Sequence, residues 1–527
     1  MTMEIRGRFA SILVFLLLLI PSAQFAWRSR DMPQFAFLHD DGILFSSAKS
    51  LAQGDGYRIA SLPETPYQTK YPPLYPLYLS LAWRLNPSFP GNLVVASLLS
   101  WPLLAAFLLL SWAILRQNGF SQSRALLLTA ILGLNPYLAL FGVSLLSEVF
   151  FTCFLLLTLL LARRQGYAAI VLAAVAASCA YLSRTAGIGL LISVPALLLW
   201  KREWRRAAVF AAAMLPAVVG WSLWSRAHGL ATTDPGVVYY TDYLRFEFLN
   251  VGWDNLAVVL WKNVDQILYG MGSLVLPRLF DSFGLKMLTQ VIAVAMISGI
   301  VRLVRRGILV DYAIFGLISA GMLVVWHYPP NERFVLPLFP LLIAGLAAEV
   351  EHFAAMIRLA SRHRDRSQRV AAAGLGAVLW GLLAAVLVLQ IYGSFWYLPA
   401  SAEQARARRR DARATYAWMA EHLPASATVL SNDDPLLYLY TGRRGNAIPL
   451  MPRWWYADDH ASIVKAYSNA ADYCRRRGLN YLYSTSNDLA RWEGDEDMPQ
   501  VLQVLRKNPA LVPVFSAPGG TVYRVSP

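Results

Sequence analysis

The chain has 527 residues, 57% of them hydrophobic and 15% charged, with a mean hydropathy of +0.43. A soluble domain averages about 45–50% apolar and about 25% charged residues, so composition excludes the three or four soluble domains that length alone would suggest. The formal charge of +15 does not indicate a nucleic-acid partner, because most of the Lys/Arg excess lies in short stretches between apolar runs, as membrane topology requires.

Those apolar runs fall at 9–27, 93–115, 125–142, 149–162, 167–183, 186–200, 207–224, 285–303, 311–327, 334–350 and 371–393. They predict an α-helical polytopic membrane protein with about eleven spans. Several runs are shorter than the ~20 residues a perpendicular helix needs, so tilted or broken helices are expected among them. Arg116 to Arg124, Arg163-Arg164, Lys201 to Arg206, Arg302 to Arg306 and Arg358 to Arg369 occupy alternate loops, and Arg6 and Arg8 precede the first run. The positive-inside rule makes these cytoplasmic, with the N-terminus inside and the C-terminus outside. A cleaved signal peptide is the other reading of the first run. The lack of a clear small-x-small site, and the many spans that follow, favour a retained helix.

Three long segments then face outward: 28–92, 225–284 and 394–527. Each carries Pro, Gly, Tyr, Trp and charges, so none can lie exposed to lipid. The chain divides into a membrane module over 1–393 and a C-terminal soluble α/β domain over 394–527. The latter is predicted as helix Asp411–Leu423, strand Ala427–Ser431, helix Ile463–Arg477, strand Asn480–Thr485, helix Pro499–Lys507 and strands at 511–516 and 521–525. Cys153 and Cys179 lie within spans and Cys474 is the outward one, so no disulfide is expected in the outer domain. No Cys/His cluster has zinc spacing.

Chemistry-bearing residues begin just past the first run, in Phe37-Leu38-His39-Asp40-Asp41-Gly42. Consecutive Asp residues cannot share one helix face, which suits different tasks. One would act as a general base; the other would bind a metal, hold an Arg or cap the helix. Both residues simply capping that helix is an equal alternative. In Thr69-Lys70-Tyr71-Pro72-Pro73, two prolines impose a rigid extended backbone that fixes where Lys70 and Tyr71 point. Lys70 among aromatic residues suits the phosphate of a lipid carrier, or else snorkels to anchor the loop. Glu148, Arg184 and Arg333 sit at outward helix ends, where ionisable groups mark functional or paired sites. A structural Glu148–Arg184 pair is the plain alternative. In the outer domain, Asn432-Asp433-Asp434-Pro435 and Trp454-Trp455-Tyr456 read as sugar-binding groups or as a helix start and ordinary core.

Asp40-Asp41, Lys70-Tyr71-Pro72-Pro73, Ser147-Glu148, Glu332-Arg333-Phe334-Val335-Leu336-Pro337 and Thr441-Gly442-Arg443 follow in an order that resembles the GT-C superfamily of membrane glycosyltransferases. The nearest groups are the protein O-mannosyltransferases, the lipid A aminoarabinose transferases and bacterial dolichyl-phosphate-mannose–protein-mannosyltransferase-like proteins. The resemblance spans nearly the whole chain. It implies an inverting transfer of a sugar from a polyprenyl-phosphate donor to a lipid, glycan or protein acceptor at the outer face of a bacterial inner membrane. It gives the base to Asp40 and the lipid phosphate to Lys70, with Tyr71, Asp41, Glu148, Arg184 and Arg333 in support. Some members use a divalent cation, Mg or Mn, which Asp40 and Asp41 would hold here; others do not. A transporter or flippase would also explain the spans and buried charges, but not the paired carboxylates, and no paired halves are visible.

Overall fold

The computed structural model describes residues 2–248, 251–280, 282–361, 366–490 and 495–527. The side chains of Arg6 and Arg8, and part of the 358–369 basic run, lie outside the described residues. Each of the eleven apolar runs is helical. Five helices among the described residues are long and apolar enough to cross a membrane, or six with one bent pair. That pair, Gln122–Gly133 and Pro136–Val143, turns by 64°. Asn135 makes the break: its side chain accepts from Leu138 N at 2.9 Å, and Pro136 opens the second helix.

Large apolar side chains such as Leu172, Val291, Leu375 and Trp380 face outward along these helices. With no water to squeeze out between lipid-exposed helices, close packing and polar contacts must hold them together. Helices Phe283–Arg305 and Phe339–Ser361 meet backbone to backbone at Gly299 and Gly345, where any side chain would collide with the facing carbonyl. Arg302 Nε donates to Glu349 at 2.6 Å across the same two helices.

The outward segment after the first helix folds as two short helices, Asp40–Gln53 and Leu74–Leu85. They pack face to face through Phe45 and Trp83, whose ring centroids are 4.9 Å apart, and Trp83 Nε1 donates to Phe45 O at 3.1 Å. The same apolar cluster takes in Tyr416, Leu437 and Leu439 from the C-terminal region. This outer loop and the C-terminal residues therefore share one core.

No helix break marks residue 394. Helix Arg366–Tyr392 continues through a wider turn at Gly393–Tyr397 into Leu398–His422. The expected helix Asp411–Leu423 is the end of this longer one, because Ala, Arg and Glu after 398 sustain a helix as well as apolar residues do. Beyond it the described residues form five strands: β1 Thr428–Leu430, β2 Arg444–Asn446, β3 Tyr481–Ser484, β4 Leu511–Ala517 and β5 Gly520–Val525. Their order is β2-β1-β3-β5-β4, with β1 parallel to β2 and β3, and β5 antiparallel to β3 and β4.

The expected helix Ile463–Arg477 is two helices, His460–Ser468 and Ala470–Arg477, parted at Asn469. Helix Asp434–Thr441 and β2 were not expected. Asn432-Asp433-Asp434-Pro435 is a helix start, with Pro435 in the first turn, and Gly442 ends the helix in the left-handed conformation at φ 73°. Trp454 and Trp455 pack against the core on one side of the sheet, as the ordinary-core reading has it. The three cysteines are free.

Candidate active site

The acidic pair opens helix Asp40–Gln53, which follows the first apolar helix, Thr2–Arg28, across residues 29–39. Neither Asp is the residue that caps it. His39 holds that position with φ 66°, in the left-handed region a non-glycine residue seldom occupies. Its ring is fixed on both sides: Nδ1 lies 3.0 Å from Tyr239 Oη, and Nε2 lies 2.7 Å from Asp434 Oδ1. Tyr240 Oη donates to the same Asp434 oxygen at 2.7 Å. Two distant parts of the chain thus clamp the residue before Asp40.

Asp40 and Asp41 point to different neighbours, as successive helix positions must. Asp40 accepts from Tyr71 Oη at 2.6 Å through Oδ1, and Arg333 Nη2 stands 2.7 Å from Oδ2. Burial alone would push its carboxyl up, but the charges of Arg333 and Lys70 and the Tyr71 hydrogen bond outweigh this and hold it well below the usual carboxylate range. Asp41 accepts from Ala36 N at 2.9 Å and Gly42 N at 3.0 Å. Burial pushes its carboxyl up to about 6, against the Ala36 hydrogen bond and the Arg333 charge.

The Lys70 turn is built locally. Gln68 Oε1 accepts from the amides of Lys70 and Tyr71 at 3.0 and 3.2 Å, and Tyr57 Oη donates to the carbonyls of Tyr71 and Pro72. The Lys70 ammonium donates to Tyr239 O at 2.7 Å and sits 4.4 Å and 4.6 Å from the ring centres of Tyr239 and Tyr243. Such an aromatic cage holds a cation without neutralising it.

Arg333 is positioned by Asn331, whose side chain accepts from Arg333 N at 3.1 Å. Its guanidinium also donates through Nε to Glu148, a fully buried carboxylate that Arg184 Nη1 meets at 2.6 Å. Asp40, Arg333, Glu148 and Arg184 therefore form one alternating chain of charges. The structural Glu148–Arg184 pair exists, but as part of a network that reaches the acidic pair.

Two cavities meet here. One, of about 540 Å³, is lined by Asp40, Lys70, Tyr71, Arg184 and Arg333 together with apolar residues including Phe151, Phe315 and Leu323. The other, of about 710 Å³, is lined by Asp41, Glu332, Arg278 and residues of the C-terminal region. Leu38, Asn331 and Arg333 line both. Tyr239, Tyr243 and Arg278 were missed from sequence; a Tyr-rich stretch at 239–243 was the visible sign of the two tyrosines. Arg278 Nη2 donates to Glu332 at 2.7 Å.

A divalent cation shared by Asp40 and Asp41 does not fit this arrangement. The Asp40 carboxylate is paired with a cation and a phenol, and Asp41 is turned to its own backbone and the other cavity. Among the described residues no three His, Cys, Asp or Glu side chains gather in a way that could hold an ion.

No protein-family model matches the chain. No curated protein matches it in sequence. Solved structures do. Cupriavidus metallidurans ArnT bound to undecaprenyl phosphate superposes with TM-score 0.53 at 12% identity, covering 97% of this chain and 97% of that one. The Archaeoglobus fulgidus oligosaccharyltransferase AglB, in complex with an inhibitory peptide and a dolichol-phosphate, gives 0.54 at 13% identity, covering 94% of this chain and 72% of that one. The Archaeoglobus fulgidus oligosaccharyltransferase with Zn and sulfate gives 0.51 at 14% identity, over 97% and 73%. At such identities the likeness is one of fold: the chain is folded as ArnT and the Archaeoglobus oligosaccharyltransferase are.

Proposed function

We propose that the protein is an inverting glycosyltransferase that moves a sugar from a polyprenyl-phosphate donor to an acceptor hydroxyl at the outer face of the membrane. One observation carries this reading: two cavities converge on a single acidic pair, with Arg333 lining both. A transferase must bring two substrates to one point from separate directions, and this arrangement does so. Structures with the same fold hold undecaprenyl phosphate and dolichol-phosphate, which supports a lipid-phosphate donor.

The 540 Å³ cavity suits the donor. Its apolar lining matches a prenyl chain, and Lys70, Arg184 and Arg333 supply positive charge for the departing phosphate. A phosphate leaves without needing a proton, so one carboxylate suffices as base. The resemblance gives that role to Asp40. The geometry supports Asp41 instead: it lines the other cavity, and its raised proton affinity suits removal of an acceptor proton near neutral pH. Asp40, ion-paired and held anionic, orients Arg333 and Tyr71. In the step, the acceptor oxygen bonds to the anomeric carbon, its proton passes to Asp41, and the carbon–oxygen bond to phosphate breaks with both electrons going to the phosphate. A single displacement inverts the anomeric centre.

The same reading takes all eleven helical runs as spans, with the N-terminus cytoplasmic and the C-terminal sheet outside, in a bacterial inner membrane. The sugar is a hexose or a pentose, and the acceptor a lipid, glycan or protein. Proteoliposomes given a mixture of radiolabelled polyprenyl-phosphate sugars test it. Label should reach an acceptor with wild type and not with Asp41→Asn. Lipid flux with no label ever leaving the carrier would replace the transferase with a transporter.

A further inference from the structure

Tyr239 does most to place the Lys70 ammonium. Its backbone carbonyl accepts from the ammonium at 2.7 Å, and its ring centre lies 4.4 Å away. Carbonyl and ring move together, so whatever fixes Tyr239 fixes the cation. Tyr239 lies in helix Pro235–Thr241, of seven residues. A helix of two turns does not hold itself in water. Its ties run to other parts of the chain. Asp234, whose side chain caps it at Val237 N, accepts from Tyr473 Oη at 2.9 Å. Tyr240 Oη donates to Asp434 and accepts from Ala447 N at 2.9 Å. Tyr239 Oη stands 3.0 Å from His39 Nδ1, and the two rings stack with centroids 5.6 Å apart. Tyr473, Asp434 and Ala447 all belong to the C-terminal region.

The direction of the His39 bonds is set from the C-terminal side. Asp434 Oδ1 accepts from Tyr240, and His39 Nε2 donates to the same oxygen. In the neutral ring that leaves Nδ1 as an acceptor, and the Tyr239 hydroxyl is the donor that meets it. His39 and Asp434 are each 1% exposed. Water therefore does not compete for these bonds, and each counts for more than it would at a surface.

We propose that His39 is a positioning residue for the donor phosphate. It carries the hold of Asp434 through Tyr239 to Lys70, and so makes the C-terminal region part of the donor site. The inference rests on the reading of Lys70 as a ligand of that phosphate. His39 and Tyr239 also line the 540 Å³ cavity. Direct contact between the Tyr239 hydroxyl and the lipid is therefore the rival account. Coupling to Lys70 tells the two apart: a relay loses its effect once the ammonium is gone, whereas a direct contact keeps it.

The test is equilibrium binding of fluorescent undecaprenyl phosphate to the full chain in nanodiscs. Tyr239→Phe keeps the ring and the carbonyl and loses only the bond to His39. It should weaken binding about three- to ten-fold. In a Lys70→Ala background the same substitution should change affinity by less than about two-fold. His39→Ala should weaken binding about ten-fold. His39→Asn sets an amide where Nδ1 stands and tolerates the left-handed backbone, so it should return binding to within about three-fold of wild type. With a sugar-bearing donor, Tyr239→Phe should raise KM while kcat stays within about two-fold. Equal losses in both backgrounds would place the hydroxyl on the lipid and overturn the relay. No loss from Tyr239→Phe would overturn it too. In either case a weakened Lys70→Ala variant keeps the phosphate reading, whereas a Lys70→Ala variant that binds like wild type overturns both.

Discussion

Arg333 and Asp40 form an ion pair of 2.7 Å, and the far side of the same guanidinium is bound by Glu148. The pair joins helix Asp40–Gln53 of the outer loop to the start of the helix that follows Asn331, some 290 residues later in the chain. Of the four charges in the network, Glu148 and Arg333 are almost wholly shielded from solvent, while the side chains of Arg184 and Asp40 are 20% and 23% exposed. A buried charge that loses its partner is worse off than if the pair had never existed.

Arg333→Leu should therefore cost about 3–5 kcal/mol of stability, because it takes the ion pair from Asp40 and leaves the buried Glu148 with Arg184 alone. It should also abolish transfer. Arg333→Leu combined with Glu148→Gln should recover part of the thermal midpoint but none of the activity. Scanning fluorimetry in detergent and the transfer assay read the two effects separately. Activity restored along with stability would make the network purely structural.

The base assignment predicts a pH profile. Asp41 titrates at about 6 and must be ionised to accept a proton, so transfer should rise with pH through about 6 and then level off. Asp40 titrates well below that range and adds no limb near neutrality. Asp41→Asn should abolish transfer across the whole range, whereas Asp40→Asn should leave a residual rate that still rises through about 6. The reverse pattern would return the base to Asp40.

Lys70→Ala should weaken undecaprenyl phosphate binding about ten- to a hundred-fold, in keeping with loss of a charge-assisted contact. Lys70→Arg should recover less than half of that loss, because a planar fork does not fit a cage built around a point charge between Tyr239 and Tyr243. Equilibrium binding of a fluorescent polyprenyl phosphate checks both. A Lys70→Ala variant that binds like wild type would leave Lys70 as an anchor for its loop.

Gly42 lies against Pro435, and an added methyl group there would stand 2.8 Å from the proline Cβ. Gly42→Ala should therefore push the loop helix away from helix Asp434–Thr441 at a cost of about 1–3 kcal/mol. Because that movement shifts His39 and the acidic pair together, kcat should fall more than donor affinity. A lowered thermal midpoint with unchanged kcat would uncouple the two regions.

Asp488 supplies a stability test independent of activity. Burial and the nearby Asp433 push its carboxyl up to about 7. An acid whose folded pKa is raised is protonated more in the folded than in the unfolded state. Its contribution is thus fully present below about 4 and is lost as pH rises towards 7. Asp488→Asn should flatten the fall in thermal midpoint over that window and stabilise the protein at pH 8 by about 1–3 kcal/mol. A mutant that loses stability equally at every pH would show that only the turn hydrogen bonds matter.

What could be read from the sequence follows from where each signal lives. Apolar runs are contiguous, so the helices of the bundle were visible, although the 125–142 run was read as one and its break at Asn135, where a Pro follows an Asn, was not placed. Residues of the candidate site at helix ends stood out because charge beside a long apolar run is costly, and Asp40, Tyr71, Glu148, Arg184 and Arg333 do gather. The Asn469 break was not visible, since helix formers lie on both sides of it. The boundary at 393 was misleading: the sequence turns from apolar to charged there while the helix continues. His39–Asp434 and Lys70–Tyr239 could not be found at all. No local pattern connects residues so far apart, and each looks ordinary by itself.

The bond between His39 and Asp434 spans 395 positions of chain. The outer loop leaves a ribosome well before the carboxylate that fixes His39. Helices of the bundle can insert one after another while the loop waits without its partner. A product of premature termination before residue 434 would thus sit in the membrane with its helices in place and its acidic pair unanchored. The acidic pair therefore gains this anchor only after every helix of the bundle has been made.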